Sequence, residues 1–316
     1  MLTIFSNPQY DFVGKRHWAY AISVGLMLIA LASLLVKGGL AYDIDFTGGT
    51  LVELRMPEPT SVGTIRARLA EKGLGHSLIQ EFGASRDFLI RTQVASTNPA
   101  ELGERVREAL TKDGAAGAPE IRRVEFVGPQ IGQDLRRQAA YAILAALAGI
   151  LLYIWMRFDL RGGVATILSV GHDVLICLGG LSLTNREFSL PVLAALLTVI
   201  GYAVNDRIVM YDRLREIRAR AAPKGVTFAD QVNMAVNQTL SRTVLTVATV
   251  ILSAAMLFLF GGASLENFAF VVLIGAFTAP LSTVYVAAAL DVDGRAWLAK
   301  RKGAAPVRAG SKVARS

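Results

Sequence analysis

The sequence has little charge, a single cysteine and few histidines. Charged residues make up 18% of its 316 residues, whereas a soluble domain carries about 25%. Because Cys177 is the only cysteine, a disulfide scaffold is excluded. One thiol and three histidines are too few ligands for a cysteine–histidine metal site, so we expect no metal and no other cofactor. With 53% apolar residues, the chain is also too hydrophobic to be disordered.

Motifs of common enzymes are missing as well. The chain contains no H-E-x-x-H, no G-x-S-x-G and no phosphate loop of the form G-x-x-x-x-G-K-[ST]. Tyr211-Asp212 and Gly171-His172-Asp173 only faintly resemble an intramembrane aspartyl protease, because the second stretch lacks a glycine directly before its aspartate. We therefore predict that the protein is not an enzyme.

The net charge of +8 is unevenly distributed. Segment 37–138 contains fourteen basic and fourteen acidic residues and is neutral. The basic excess lies instead in short segments beside apolar runs, which is typical of a membrane protein and not of a nucleic-acid-binding surface. We therefore expect no nucleic acid among its partners.

Six long apolar segments dominate the chain. A helix needs roughly 20 mainly apolar residues to cross about 30 Å of hydrocarbon. The predicted spans are 18–36, 139–156, 164–183, 190–211, 243–260 and 268–290. The first has a basic start, as a signal peptide does, but its apolar run is long for one, so we interpret it as an anchoring span.

Lysine and arginine near the span ends predict the orientation. The basic segments are the loops 157–163 and 212–242 and the tail 291–316, and the segments poor in basic residues are the loops 184–189 and 261–267. Arg136 and Arg137 lie on the opposite side but are outnumbered. Segment 1–17 and the tail are thus expected in the cytoplasm, and segment 37–138 outside it.

Segment 37–138 has the pattern of one small α+β domain. The predicted elements are a strand over 45–56, a helix over 60–73 with Thr60 as its N-cap, a hairpin of strands 77–82 and 88–93, a helix from Asn98-Pro99 to Leu110, and a strand over 121–127. The order βαββαβ is that of a ferredoxin-like domain. The predicted fold is therefore an all-α bundle of six membrane helices with an inserted extracytoplasmic ferredoxin-like domain.

Polar residues inside the predicted spans are functional candidates, because ionisable side chains are costly in a membrane. They are His172 and Asp173 in the third span, Asn205, Asp206 and Arg207 in the fourth, and Arg242 at the start of the fifth. Helical spacing places them on polar faces in the cytoplasmic half, so contact between His172, Asp206 and Arg242 is feasible. A carboxylate beside a guanidinium can release and rebind a proton, as a proton relay requires.

Simpler roles stay open for several of these residues. Arg242 also fits a positively charged anchor at the interface, and His172 a helix-packing residue. We expect Arg207 to extend along the helix so that its charged end reaches the interface. A purely structural role is hardest to accept for Asp206, since a carboxylate costs about 2.5–3.5 kcal/mol at the centre of a span.

Five motifs in order resemble those of a known family. They are Asp45-Phe46-Thr47-Gly48-Gly49-Thr50, Val127-Gly128-Pro129-Gln130-Ile131-Gly132, His172-Asp173-Val174, Gly201-Tyr202-Ala203-Val204-Asn205-Asp206 followed by Asp212-Arg213-Leu214-Arg215-Glu216, and Asn237-Gln238-Thr239-Leu240-Ser241-Arg242-Thr243. Together they resemble the SecF family of bacterial protein-export subunits, in the resistance-nodulation-division transporter superfamily. The resemblance covers nearly all of the chain except the tail. Arg207 departs from it, because the family is expected to have a small hydroxyl residue there.

The resemblance implies a role in protein export. Members of the family sit in the bacterial cytoplasmic membrane, pair with SecD to complete a pseudo-symmetric bundle, and associate with the SecYEG channel and commonly with YajC. Proton flow is thought to drive motion of the extracytoplasmic domains, which draws the exported polypeptide outward. Asp206 and Arg242 match the family's ion pathway, and Asn205, His172 and Asp173 are added here from helical spacing.

Two other functions remain open. A half-transporter of the same superfamily would export small molecules or lipids, but such pumps usually carry larger domains and both bundle halves in one chain. A non-conducting scaffold of the channel would tolerate neutral substitutions along its polar faces. Membrane lipid surrounds the protein in all three cases.

Overall fold

The computed structural model describes residues 8–81, 86–92, 99–111, 118–157, 160–220 and 225–301. In chain order its elements are α1 (Arg16–Val36), α2 (Ile44–Thr47), β1 (Gly49–Arg55), α3 (Val62–Glu71), β2 (Leu78–Glu81), β3 (Asp87–Thr92), α4 (Pro99–Leu110), β4 (Glu120–Val127), α5 (Pro129–Arg157), α6 (Leu160–Leu183), α7 (Leu190–Ala219), α8 (Phe228–Phe260), α9 (Ala263–Ser282), a π-helical turn (Thr283–Ala287) and α10 (Ala288–Arg301). Six helical segments in these ranges are long and apolar enough to cross a membrane: α1, α5, α6, α7, α8 and a last one over Leu265–Arg301.

The membrane helices form a centre and a periphery. Helices α6, α7 and α9 are about half buried and form the centre, whereas α1, α5 and α8 lie outside and have few buried residues. Close contact between α1 and α6 depends on Gly179, because a Cβ atom there would lie 2.2 Å from the Cβ of Ala30. The exposed surface of the outer helices is largely apolar, as expected where helices face lipid.

The last membrane segment is interrupted near its middle. Pro280 lies inside α9, where it lacks the backbone N–H of a regular helix and its ring crowds the preceding turn. The chain then forms the π-helical turn before it continues as α10. As a result, Ser282 and Thr283 stand at an irregular turn that is buried in the bundle. Irregular turns of this kind are frequent at functional sites.

A four-stranded antiparallel sheet is inserted between α1 and α5. Its strand order is β2-β3-β1-β4, so β1 lies between β3 and β4. Apolar side chains of the sheet and of helices α3 and α4 form a single core: Val52, Leu54, Met56, Ile65, Leu69, Leu74, Ile79, Phe88, Ile90, Leu102, Val106, Ala109 and Leu110. This core is separate from the apolar clusters of the membrane helices.

Two predicted elements of the domain begin later than the sequence suggested. The strand predicted over 45–56 starts at Gly49, because Asp43 accepts a hydrogen bond from the Ile44 N–H at 2.5 Å and caps the short helix α2. The helix predicted from Thr60 starts at Val62, and its N-cap is Ser61, whose Oγ accepts from the Thr64 N–H at 3.2 Å. Both predicted starts were wrong because a nearby residue caps a helix there, Asp43 for α2 and Ser61 for α3.

The segment predicted as the loop 212–242 is mostly helical. Helix α7 continues to Ala219 and α8 begins at Phe228, after a capping box formed by Thr227 and Asp230. The hairpin turn, Gln93, Asn98 and the tail from residue 302 onward lie outside the described residues.

Candidate functional site

Two pairs of consecutive polar residues meet inside the bundle. One pair is Asp206 and Arg207 on α7, and the other is Ser282 and Thr283 where α9 meets the π-helical turn. Arg207 contacts Ser282, and Thr283 lies beside Asp206 in the wall of the same small cavity. The two pairs therefore build two polar clusters side by side, each with its own carboxylate.

The first cluster surrounds Arg207, whose side chain is completely buried. Its Nη2 atom lies 2.7 Å from Asp173 Oδ2 and also 2.7 Å from the hydroxyl oxygens of Ser169 and Ser282. The expectation that Arg207 extends to the interface is therefore wrong. The reason is the carboxylate of Asp173 on the neighbouring helix α6, which gives the guanidinium an anionic hydrogen-bond acceptor inside the bundle.

Both carboxylate oxygens of Asp173 have partners within this cluster. Its Oδ2 accepts from Arg207 and from the Ser282 hydroxyl at 2.8 Å, and its Oδ1 lies 3.0 Å from His172 Nδ1. In the described part of the chain, His172 Nε2 and two nitrogens of Arg207 have no hydrogen-bond partner. His172 and Asp173 are thus in contact with each other, and Arg207 is the cation that pairs with Asp173. The feasible contact between His172 and Asp206 is not formed.

The second cluster surrounds Asp206, which is partly buried. The Thr243 hydroxyl of α8 donates to Asp206 Oδ1 at 2.6 Å, whereas the nearby Thr283 hydroxyl donates to the Ala279 carbonyl at 2.8 Å. Beside the carboxylate lies a cavity of about 10 Å³, with Thr239 and Thr243 in its wall. That volume is close to the minimum that holds one water molecule.

Arg242 and Asn205 lie on the outer surface near Asp206. Arg242 directly precedes Thr243 on α8, yet no hydrogen bond joins it to Asp206 within the ranges given above. Both side chains belong to an exposed polar face, which we define as Thr198, Gly201 and Asn205 of α7 with Arg242, Thr246, Thr249 and Ser253 of α8. The threonine and serine hydroxyls of this face donate to carbonyls of their own helices, so Asn205 and Arg242 are the side chains that are costly to expose to lipid.

The motif at the start of the domain lies where the domain meets the membrane helices. Phe46 is buried and its ring lies 5.2 Å from that of Phe188, in the loop between α6 and α7. Asp45 Oδ2 accepts from the Leu190 N–H at 2.9 Å. Thr47 donates to the Asp43 carbonyl at 3.1 Å, so it closes α2.

The glycines of this motif permit a close backbone approach. Gly48 has φ +72°, and a Cβ atom there would lie 2.7 Å from Pro129 Cα at the start of α5. Gly49 follows with φ 127° and opens β1. The motif from Asp45 to Gly49 therefore joins the sheet to α5 and α7.

A second connection, which the sequence did not reveal, is made by Arg91 of β3. Its Nη2 lies 2.7 Å from Asp43 Oδ1, and its guanidinium also forms a bidentate ion pair with Glu187. Burial raises the pKa of Asp43, although Arg91 opposes the shift. The one available signal was a cation within an apolar strand, and it did not identify partners 48 and 96 residues away.

The described residues contain no group of three or more histidine, cysteine, aspartate or glutamate side chains that could hold a metal ion. The chemistry that the arrangement supports is proton exchange at a carboxylate. Unlike Asp173, Asp206 is hydrogen-bonded to a neutral hydroxyl and, within the described residues, forms no ion pair.

Comparison with known proteins gives a consistent result. A family model described as "Protein export membrane protein SecD/SecF, C-terminal" matches residues 106–296. The protein translocase subunit SecF of Desulfurispirillum indicum is 42% identical over 288 residues, which cover 90% of this chain and 91% of that protein. SecF of Pseudomonas aeruginosa is 40% identical over 277 residues, which cover 88% and 89%.

Solved structures agree with these relatives. The crystal structure of SecDF from Thermus thermophilus, a translocon-associated membrane protein, matches with a TM-score of 0.81 at 38% identity over 92% of this chain. SecDF in a super-membrane-facing form matches with a TM-score of 0.66 at 39% identity over 96%. This chain spans only 39% and 40% of those two SecDF chains.

Proposed function

The chain belongs to the SecD/SecF family of protein export membrane proteins, and we propose that it acts as a SecF subunit that pairs with SecD and couples proton flow to protein export through SecYEG. The observation that carries the proton step is the environment of Asp206. The carboxylate of Asp206 lies at membrane depth, accepts a hydrogen bond from the Thr243 hydroxyl and adjoins a cavity that is just large enough for one water molecule.

Hydroxyl partners suit a carboxyl group that changes its protonation state. A threonine hydroxyl can donate to the charged carboxylate or accept from the neutral acid, because it carries both a donor and acceptor lone pairs. The Thr243 hydroxyl can therefore keep Asp206 hydrogen-bonded before and after a proton binds. The adjacent cavity offers a place for the water that would deliver the proton.

We propose different roles for the other predicted site residues. Arg242 is the counter-charge that approaches Asp206 when its proton leaves, and Asn205 lines the same surface. His172 and Asp173 were predicted to carry protons, but their contacts favour a structural role: Asp173 neutralises Arg207 and accepts from Ser282 at the turn beside Asp206, and His172 bonds to Asp173.

The polar face supports SecD as the partner. Arg242, Asn205 and the threonines of this face are exposed on α7 and α8, where the membrane helices of a second subunit would shield them from lipid. We further propose association with SecYEG and YajC, contact with the exported polypeptide, and no catalytic chemistry. The setting is the bacterial cytoplasmic membrane with both termini in the cytoplasm.

The strand order of the domain supports a ferredoxin-like fold. Two βαβ-type halves with the order β2-β3-β1-β4 leave helices α3 and α4 on one face of the sheet. We propose that this domain moves relative to the membrane during export, with the motif from Asp45 to Gly49 and the Arg91 ion pairs as its connection to the helices.

The test is export into inverted membrane vesicles that contain SecD, with and without a proton gradient. Asp206→Asn keeps the shape of the side chain but cannot exchange a proton near neutral pH. We expect it to accumulate normally and to lose the stimulation by the gradient. Asp212→Asn is the matched control on the same helix, because Asp212 is exposed and paired with Arg157, and it should keep the stimulation.

The same assay separates the alternatives. Full stimulation in Asp206→Asn would contradict proton coupling and favour a scaffold. Unchanged protein export combined with altered efflux of small molecules or lipids would favour the exporter.

A further inference from the structure

A groove runs along the outer surface of the bundle, on helices other than those that carry the polar face. It lies between α1, α6, α9 and the π-helical turn and encloses about 320 Å³. Its walls are mainly apolar, with Trp18, Ile22 and Leu26 on one side and Leu281 on the other. Lys15 lies at one end.

The length of the groove matches one leaflet of a membrane. Lys15, Ile22 and Leu26 follow one face of α1, and eleven residues of helix extend about 16 Å. That length is about half of the roughly 30 Å hydrocarbon core. Because α1 begins beside Lys15, the groove starts at the membrane surface and ends near the midplane.

The end at the membrane surface carries an available cation. Lys15 is exposed and forms no ion pair within the described ranges, whereas its neighbour Arg16 is paired with Asp293 at 3.0 Å. Trp18, one turn further along, is 78% exposed, as is typical of tryptophan at the level of lipid headgroups. A cation above an apolar channel is complementary to an anionic headgroup above an acyl chain.

We propose that this groove binds one anionic phospholipid, with its phosphate at Lys15 and one acyl chain along α1. The inner wall contains His172, Ser282 and Tyr285. Ser282 bonds to Arg207 and Asp173, and the next residue, Thr283, lines the cavity beside Asp206. A bound acyl chain therefore packs against the turn on which both carboxylate clusters depend.

The three tryptophans of the chain provide a direct test. A variant with Trp155→Phe and Trp297→Phe leaves Trp18 as the sole fluorophore, beside the groove. It is placed in phosphatidylcholine vesicles that contain a minor fraction of brominated phosphatidylglycerol or of brominated phosphatidylcholine. We expect brominated phosphatidylglycerol to quench Trp18 about fivefold more strongly than brominated phosphatidylcholine does. One lysine near a membrane surface attracts an anionic lipid to about that extent.

Matched variants distinguish lipid binding in the groove from attraction of the lipid to surface charge in general. Lys15→Gln should abolish the preference, and Lys300→Gln, which removes an exposed lysine outside the groove, should keep it. Ser23→Phe, which fills the groove but keeps Lys15, should also abolish it; Ala19→Leu serves if that variant does not fold. A variant with only Trp155, at the end of α5, should show no preference.

Several results would overturn the proposal. Equal quenching of Trp18 by both lipids would mean that ordinary bulk lipid fills the groove. Quenching by neither lipid, in the chain alone or with SecD, would mean that protein covers it. A preference that survives both Lys15→Gln and Ser23→Phe would assign the effect to the surface and not to the groove.

Discussion

Asp173 and Asp206 are two carboxylates in one bundle with opposite surroundings. Asp173 is almost completely buried and is bonded to a guanidinium, a hydroxyl and an imidazole. Asp206 is partly exposed and accepts a hydrogen bond from the Thr243 hydroxyl beside a small cavity. The two sites are adjacent along the chain, since Arg207, which binds Asp173, follows Asp206, and Thr283, which lines the cavity beside Asp206, follows Ser282.

The difference indicates that membrane depth alone does not identify a proton carrier. Protonation of Asp173 would leave the permanent charge of Arg207 buried without compensation, which is strongly unfavourable. Protonation of Asp206 disturbs no ion pair, and the Thr243 hydroxyl can reverse its hydrogen bond. One carboxylate thus stabilises the bundle and the other is free to exchange a proton.

The largest effect is expected from breaking the buried ion pair. Asp173→Asn keeps the shape but leaves the guanidinium of Arg207 uncompensated, and this should cost about 3–5 kcal/mol of stability. Arg207→Met should cost less, because a lone carboxyl group can take up a proton whereas arginine cannot lose one. Thermal unfolding in mild detergent measures both.

The double variant completes this test. Asp173→Asn combined with Arg207→Met removes both charges and should recover most of the lost stability. Equal destabilisation by the two single variants, with no recovery in the double variant, would contradict the role of this pair.

A smaller effect is expected where the domain meets the membrane helices. Arg91→Gln removes the ion pairs with Asp43 and Glu187, and should lower the local stability there by about 1.5–3 kcal/mol. Faster amide hydrogen exchange in α2 and β3 would report the loss. Arg107→Gln, which breaks an exposed pair with Glu104 on α4, is the control and should change exchange little. Unchanged exchange in Arg91→Gln would show that the apolar contacts of Phe46 alone hold the domain.

Hydrophobic patterning predicted the six long apolar helices, because apolar runs of that length are rare in soluble domains. It also predicted the helical and strand segments of the domain, since Ile65, Leu69 and the alternating residues of β1 form its core. It did not predict that α5 starts at Pro129 and α8 at Phe228, before the spans predicted from 139 and 243. The sequence did not show which of several nearby polar residues would cap a helix. Because Asp43 caps α2 and Ser61 caps α3, the predicted starts of β1 and α3 were wrong.

The candidate site was predicted only in part. Spacing identified His172, Asp173, Asn205 and Asp206 as polar positions, but it could not assign partners on different helices. Arg207 and Asp173 are 34 residues apart, and their pairing depends on how α6 packs against α7. The π-helical turn was also missed, although Pro280 was a visible sign that the last span would be irregular.

The smallest effect concerns an ion pair that is outside the membrane. Two hydrogen bonds from Arg55, at 2.7 and 2.8 Å, hold the pKa of Asp87 below its usual range. Because the folded-state pKa is lowered, this pair stabilises the domain above about pH 4, and the stabilisation is lost as the pH falls further.

Thermal unfolding of residues 38–136, expressed alone, measures this effect. The segment should unfold cooperatively, with a melting temperature that falls below about pH 4. Asp87→Asn should weaken this dependence on pH, whereas Glu58→Gln, on an exposed loop, should preserve it. An identical pH profile in Asp87→Asn would contradict the assignment, and a featureless unfolded spectrum would contradict an independent domain.

The most direct test of the central claim is infrared difference spectroscopy of the protein in vesicles between neutral and acidic pH. Subtraction of the Asp206→Asn spectrum from the wild-type spectrum should leave the C=O band of a carboxylic acid that appears on acidification. Subtraction of the Asp173→Asn/Arg207→Met spectrum should leave no such band. The reverse result, with a band assigned to Asp173 and none to Asp206, would contradict the account.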